Sequence, residues 1–318
     1  MSSISADKIS TCANCGKGEE NGTKLKTCTA CKLVKYCNRE CQIAHRPHHK
    51  KECKKRAVEL HALELHDEKL FKVPPKPEDC PICFIQMPSL STGSKTVSCC
   101  GKTICSGCIY ADIMIFESPE NRDNYEKMDA PLCPFCRTPS ATTEEEDNLR
   151  NEKRIEMSDD PVALHNLACS YYCGSGVPQN LQKAIELYSR AGVGGNHAAE
   201  HSIGCCFLRG EGVPRDIIKA ICFFERAAIG GYTKSRAALG RLEGDLGNKD
   251  RALKHHMIAA GFGYTDCLIE IQKLYKNGHA TKEDLKNAEK AYQACLDEIK
   301  SDQRDKAAAH DSVKYKYY

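Results

Sequence analysis

Fifteen of the 22 cysteines lie in the first 136 residues, and nearly all are paired at two- or three-residue gaps. One block holds Cys12/Cys15, Cys28/Cys31, Cys37/Cys41 and His49/Cys53; the next holds Cys80/Cys83, Cys99/Cys100, Cys105/Cys108 and Cys133/Cys136. Sulfur and imidazole donors at such spacings are those of structural zinc, and eight donors per block suffice for two tetrahedral sites. The expectation is therefore four zinc ions, two per module. A block of about 50 residues is too small to bury a self-sufficient core, so metal binding and folding should be one event.

The start MSSISADKIS has no apolar run behind basic residues, and no stretch of about 18 apolar residues follows anywhere. The chain is thus expected to be cytoplasmic or nuclear, neither secreted nor membrane-associated, where unpaired thiols serve metal and not disulfides. Fifteen thiolates and four divalent ions would carry the formal charge of +3 to about −4. Direct nucleic-acid binding through bulk charge is not expected.

In the first block, Cys12/Cys15 and Cys28/Cys31 form short knuckles, while the four-residue offsets of Cys37/Cys41 and His49/Cys53 stack each pair on one face of a helical turn. The order Cys-x2-Cys, Cys-x2-Cys, Tyr36-Cys37-x3-Cys41-Gln42, His49-x3-Cys53 resembles the MYND zinc finger. The resemblance implies interleaved sites, with Cys12, Cys15, Cys37 and Cys41 on one ion and Cys28, Cys31, His49 and Cys53 on the other. It also implies recognition of peptides, commonly proline-containing; Arg46 stands where that family usually has tryptophan. His45 and His48 are read as solvated residues beside a complete ligand set, and Lys50, Lys51, Lys54 and Lys55 as solvated cations around the ligand helix.

The prolines of VPPKPED (73–79) mark a boundary. Cys80-Pro81-Ile82-Cys83 then opens an array closed by Cys133-Pro134-Phe135-Cys136-Arg137, which resembles a RING finger. Lys102 takes the place of the usual histidine, and the Cys99/Cys100 pair restores the donor count, as in the all-cysteine variant. A cross-brace would put Cys80, Cys83, Cys105 and Cys108 on one ion and Cys99, Cys100, Cys133 and Cys136 on the other. The resemblance further implies that Ile82 and Pro134 contact a ubiquitin-conjugating enzyme and that Arg137 clamps ubiquitin. Asp112 stands where many active members carry an aromatic, and the segment between Cys108 and Cys133 is longer than usual.

Beyond residue 158 a 36-residue self-similarity replaces the cysteine pairs. Gly174, Gly176, Val177, Pro178, Lys183, Ala184, Arg190, Ala191, Gly194 and Gly195 recur as Gly210, Gly212, Val213, Pro214, Lys219, Ala220, Arg226, Ala227, Gly230 and Gly231. Each copy reads helix, Gly-x-Gly turn, helix, and resembles the Sel-1-like repeat, a relative of tetratricopeptide repeats. A degenerate third copy runs from Leu239 to Tyr264 with a turn about four residues shorter, and Leu274 to Cys295 suggests a fourth, capping pair. Cys169, Cys173, Cys205, Cys206, Cys222, Cys267 and Cys295 lack knuckle spacing and are read as packing residues, with nothing placing His165 or His201 beside one.

The fold class expected is multidomain: two small zinc-stabilised modules, MYND and a RING-like cross-brace, followed by an all-α helical-repeat solenoid. The domains expected are a MYND finger at 12–53, a linker at 54–79, a RING finger at 80–137, a linker helix at 138–158, Sel-1-like repeats at 159–300 and a disordered tail at 301–318. Such a chain is expected to be an intracellular protein–protein interaction adaptor, binding proteins or peptides through the finger and repeats and recruiting ubiquitin machinery through its RING. The alternatives are an active RING-type ubiquitin ligase, which needs no nucleophile of its own, and a MYND-containing transcriptional regulator.

Overall fold

The computed structural model describes residues 11–19, 24–89, 93–118 and 130–317. The start MSSISADKIS and the middle of the segment between Cys108 and Cys133 lie outside the described residues. The chain divides into two compact units, residues 1–70 and 71–318.

In the first unit a minimal antiparallel ladder, β1 (Lys26–Thr27) on β2 (Lys35–Tyr36), precedes one long helix, α1 (Arg39–Leu70). Its buried core is Cys12, Leu25, Cys28, Cys31 and Tyr36, so most of what a larger domain would build from leucine is built here from sulfur. Residues 54–70, expected as linker, continue α1, because KKRAVELHALELHDEKL offers helix formers and neither glycine nor proline. Cys37 precedes the helix and Cys41 sits in its first turn, whereas His49 and Cys53 share a helical face as expected.

The second unit opens with residues 71–79 laid along the repeats: the Phe71 ring lies 4.7 Å from that of His255, and Arg236 donates to the Lys72 carbonyl at 3.3 Å. The second half of the expected linker is therefore packed chain. A hairpin of β3 (Ser94–Thr96) and β4 (Thr103–Cys105) leads into α2 (Ser106–Glu117) around a core of Cys80, Met87, Ile104, Cys105 and Cys108. Helix α3 (Glu144–Ser158) follows, capped by Thr143, whose hydroxyl accepts from Glu146 N, with four acidic residues in its first turn. This helix joins two structures: its Asp147 accepts from the Ser98 hydroxyl, Arg154 donates to the Ser98 carbonyl at 3.4 Å, and Asn148 donates to the Ser175 carbonyl at 2.8 Å.

The repeats are antiparallel helix pairs: α4 (Pro161–Cys173) with α5 (Leu181–Val193), and α6 (His197–Arg209) with α7 (Ile217–Ile229). Gly174 and Gly210 end the first helix of each pair at φ 77°, and Asn180 and Asp216 cap the second by accepting from Lys183 N and Lys219 N. Helices α8 (Lys234–Asp245) and α9 (Lys249–Ala260) form the degenerate third pair, joined through residues 246–248 where the earlier turns run 174–180 and 210–216. Helices α10 (Thr265–Lys276) and α11 (Lys282–Ile299), the latter opened by a Thr281/Asp284 capping box, form the fourth.

The tail corrects an expectation. Residues 301–317 are not left disordered: Ser301 caps α12 (Asp302–His310), and Arg304, Ala307, Tyr315 and Tyr317 are buried. The helix packs on α2, and a Cβ on Gly107 would lie 2.8 Å from the Arg304 backbone nitrogen. The composition of the tail is polar, but Ala307, Tyr315 and Tyr317 find a surface, while Val313 stays exposed.

Candidate metal centres

Five hairpin turns share one device. The amide of Gly16 donates to Cys12 O, Lys32 to Cys28 O, Phe84 to Cys80 O, Gly101 to Val97 O and Arg137 to Cys133 O, all at 2.8 to 3.0 Å. Each donor residue sits in the left-handed region, at φ 74°, 56°, 57°, 72° and 61° respectively. The turn aims the sulfurs before it at one point, and the spacing of each pair follows from it.

The sixteen expected donors gather into four groups: Cys12, Cys15, Cys37 and Cys41; Cys28, Cys31, His49 and Cys53; Cys80, Cys83, Cys105 and Cys108; Cys99, Cys100, Cys133 and Cys136. Within each group all donor atoms lie within 4.8 Å of one another. The Sγ–Sγ separations are 3.6 Å for Cys15–Cys37, 3.8 Å for Cys28–Cys53, 3.9 Å for Cys80–Cys108 and 3.7 Å for Cys100–Cys133. A regular tetrahedron with Zn–S bonds of about 2.3 Å has edges of about 3.8 Å, while a disulfide needs about 2.05 Å. The donor set and its dimensions fit zinc, and each group supplies four protein ligands, leaving no open position for substrate.

The thiols of each group are unlike. Burial pushes Cys12 up, but the backbone amides of Cys15, Cys37 and Asn14 outweigh it and bring it to about 6. In the same way burial opposes, and hydrogen bonds from Cys31 N, His49 and Ala30 N overcome, to set Cys28 at about 6, and amides of Cys105, Cys83 and Ile82 set Cys80 at about 7. The Thr138 hydroxyl leads in lowering Cys136 to about 6. A neighbour in each group is pushed the other way: Cys37 to about 12 by its bond to Cys41, Cys53 to about 12 by burial, and Cys99 and Cys108 upward by burial. Metal loading must therefore release protons.

His45 is not simply solvated. Its Nδ1 lies 3.1 Å from the Tyr36 hydroxyl and its ring stacks on that of His49, one helical turn on, at 5.7 Å, so it steadies a ligand; the i, i+4 spacing of the two histidines was the available signal. His48 is exposed, as are Lys50, Lys51, Lys54 and Lys55.

Beside the third and fourth groups lies a cleft of about 630 Å³. Ile82 and Pro134 both line it, with Ile109, Asp112 and Phe116 of α2; burial raises the Asp112 carboxyl. Ile82, Phe84, Ile115 and Phe135 are large apolar side chains left exposed on this module. Arg137 is exposed but outside the lining of the cleft, so the structure brings together two of the three residues assigned to ubiquitin machinery.

In the repeats, Cys206, Cys267 and Cys295 are buried, as packing residues should be, whereas Cys173 and Cys222 are exposed. Two pairs escaped the sequence reading. His165 Nε2 lies 3.7 Å from Cys169 Sγ, and His201 Nε2 lies 3.6 Å from Cys205 Sγ, each one helical turn apart and related by the repeat offset. The i, i+4 spacing was the available signal. Burial raises both thiols and lowers both imidazoles, His201 to about 3, which disfavours a thiolate–imidazolium pair at either position.

Residues 12–53 match the MYND finger family, and residues 161–195 and 197–232 match the Sel1 repeat. SET domain and MYND-type zinc finger protein 6 of Schizosaccharomyces pombe is 43% identical over 54 residues, which is 17% of this chain and 11% of that protein's length. A Sel1 repeat protein from Oxalobacter formigenes superposes on 63% of this chain and 84% of its own, at 22% identity and a TM-score of 0.44. The protective antigen c5321 of uropathogenic Escherichia coli, which displays an SLR fold, does so over 67% and 42%, at 17% identity and a TM-score of 0.44. No helix among the described residues is long and apolar enough to cross a membrane. The chain carries a MYND finger and Sel1 repeats, with two further cysteine groups between them consistent with a RING-like module.

Proposed function

We propose that this chain is a protein-binding adaptor of a reducing intracellular compartment, in which the sixteen grouped residues ligate four zinc ions and the RING-like module recruits a ubiquitin-conjugating enzyme. The observation that carries the reading is the exposed apolar rim of Ile82, Phe84, Ile115 and Phe135 beside a cleft that Ile82 and Pro134 share. Exposed apolar surface of that kind costs solubility and marks a docking face. The closed zinc sites favour binding over hydrolysis at the metal, and stacked repeats offer an elongated client surface.

A second reading, an active ubiquitin ligase, is favoured by the same pairing of Ile82 with Pro134, since such a ligase acts by holding a charged conjugating enzyme in reach of its target. Titrating the zinc-loaded chain against a panel of conjugating enzymes by isothermal calorimetry should find at least one binder, weakened about tenfold or more by Ile82→Ala. A folded, four-zinc chain that binds none of them defeats the ubiquitin reading. Self-ubiquitination in the presence of the binder separates ligase from adaptor.

A further inference from the structure

Arg304 is fully buried, yet among the described residues no carboxylate pairs with it. Its guanidinium donates to Gln86 O at 2.8 Å, Ile299 O at 2.6 Å and Ile85 O at 3.2 Å, and Nη2 lies 4.0 Å from Cys83 Sγ. Carbonyl dipoles alone do not offset a buried cation; a counter-charge is needed. A zinc ion held by four thiolates leaves a net charge of −2 on the cage, and the cage of Cys80, Cys83, Cys105 and Cys108 is the one Arg304 touches.

We propose that residues 301–317 form an intramolecular clasp on the RING-like module, in which Arg304 is the counter-cation of the Cys80/Cys83/Cys105/Cys108 cage and a positioning residue for its metal. The rest of the segment is built for this placement. Gln303 Oε1 lies 3.8 Å from Cys108 Sγ, a second contact to the same cage. Gly107 has no side chain because a Cβ there would strike the Arg304 backbone. Tyr110 of α2 meets His310 and Tyr315 at ring separations of 5.2 and 5.8 Å, and the buried Tyr317 hydroxyl donates to Asp305, closing the segment on itself. The donations to Ile85 and Gln86 also pin the strand leaving the knuckle that holds Cys80 and Cys83. Outer groups of this kind typically change metal affinity 10- to 100-fold.

The inference rests on the third group holding zinc, which native mass spectrometry of the unaltered chain checks separately by counting four ions. Arg304→Met and Arg304→Lys are then compared with it in full-length, zinc-loaded form. Zinc release to a chromogenic chelator is followed in parallel with mass-spectrometric mapping of which cysteines a maleimide reaches first. In Arg304→Met, one ion in four should leave about 10- to 100-fold faster, and Cys80, Cys83, Cys105 and Cys108 should label ahead of the other three groups. Arg304→Lys, which keeps the charge, should recover most of the retention. Unchanged release in Arg304→Met overturns the proposal, as does labelling that spreads equally over the third and fourth groups. So does an Arg304→Lys chain that loses metal as fast as Arg304→Met.

Discussion

Lys32, Phe84 and Arg137 occupy left-handed backbone that glycine holds at the equivalent Gly16 and Gly101 turns. An L side chain there costs about 1–2 kcal/mol, which a module folding with zinc sites worth about 10–16 kcal/mol each can bear. Phe84→Gly should therefore raise the stability of the zinc-loaded chain by about 1 kcal/mol in a denaturant titration, since most of the Phe84 side chain is in solvent. If the apolar rim is a docking face, the same change weakens partner binding, so stability and affinity move in opposite directions. Gly16→Ala should cost about 1 kcal/mol, all of it backbone, because no atom of the described residues lies within 4 Å of the added carbon.

His255 should make the fold sensitive to acid. Among the described residues neither ring nitrogen has a hydrogen-bond partner, and burial, seconded by the charges of Arg236 and Arg251 and by His256, lowers it from 6.5 to about 3; burial likewise brings His256 to about 4. Both imidazoles are neutral in the fold and free to protonate in the unfolded chain. Their contribution is thus full above pH 6.5 and is lost as pH falls from there towards 3–4, at up to about 1.4 kcal/mol per unit for each ring. His255→Phe should flatten the fall in Tm between pH 7.5 and 5.5 and keep the ring contact with Phe71. An unchanged slope would show that His255 is not a source of it.

Among the elements, the helix pairs close on small residues beneath aromatic ones. A Cβ on Gly204 of α6 would lie 2.7 Å from the Phe224 ring of α7, and one on Gly240 of α8 would lie 2.5 Å from the His256 ring of α9. Gly204→Ala should destabilise the repeats by about 1–3 kcal/mol through overpacking, measured as a lower midpoint in urea, although alanine has the better helix propensity. The repeat turns were legible because Gly-x-Gly and the capping residues act within seven positions. The shortened third turn was legible as a deletion, but not the substitution it forced, with His256 facing Gly240 where Phe224 faces Gly204. Nor did spacing say that α3 binds the 97–101 loop at one edge and Ser175 at the other, since those partners lie far along the chain.

For the molecule as a whole, metal and repeat packing divide the work. Chelation should abolish hydrogen-exchange protection at Leu25, Tyr36 and Ile104, whose cores are mostly ligand sulfur, while α4–α9, packed through Leu164, Leu187, Phe224, Leu239 and their neighbours, stay protected. Protection at Leu25 and Ile104 that survives zinc removal would mean that these modules do not depend on metal.

The donor pairs could be read from the chain because a knuckle is a local turn: two or three intervening residues decide where both sulfurs point, whatever surrounds them. Repeat length and helix ends were readable for the same reason. Which two pairs share an ion was carried only by the resemblance to MYND and RING fingers, since the two pairs of a group lie far apart along the chain. Arg304 and the ordered tail were not readable, because a buried cation is justified only by the thiolate cage it meets some two hundred residues away. A polar segment carrying four buried side chains looks unstructured until α2, α11, the chain at Ile85 and Gln86, and Gly93 present the surfaces that take them. Short-range geometry chose the chemistry of this protein, and long-range burial chose which charges and helices stand next to it.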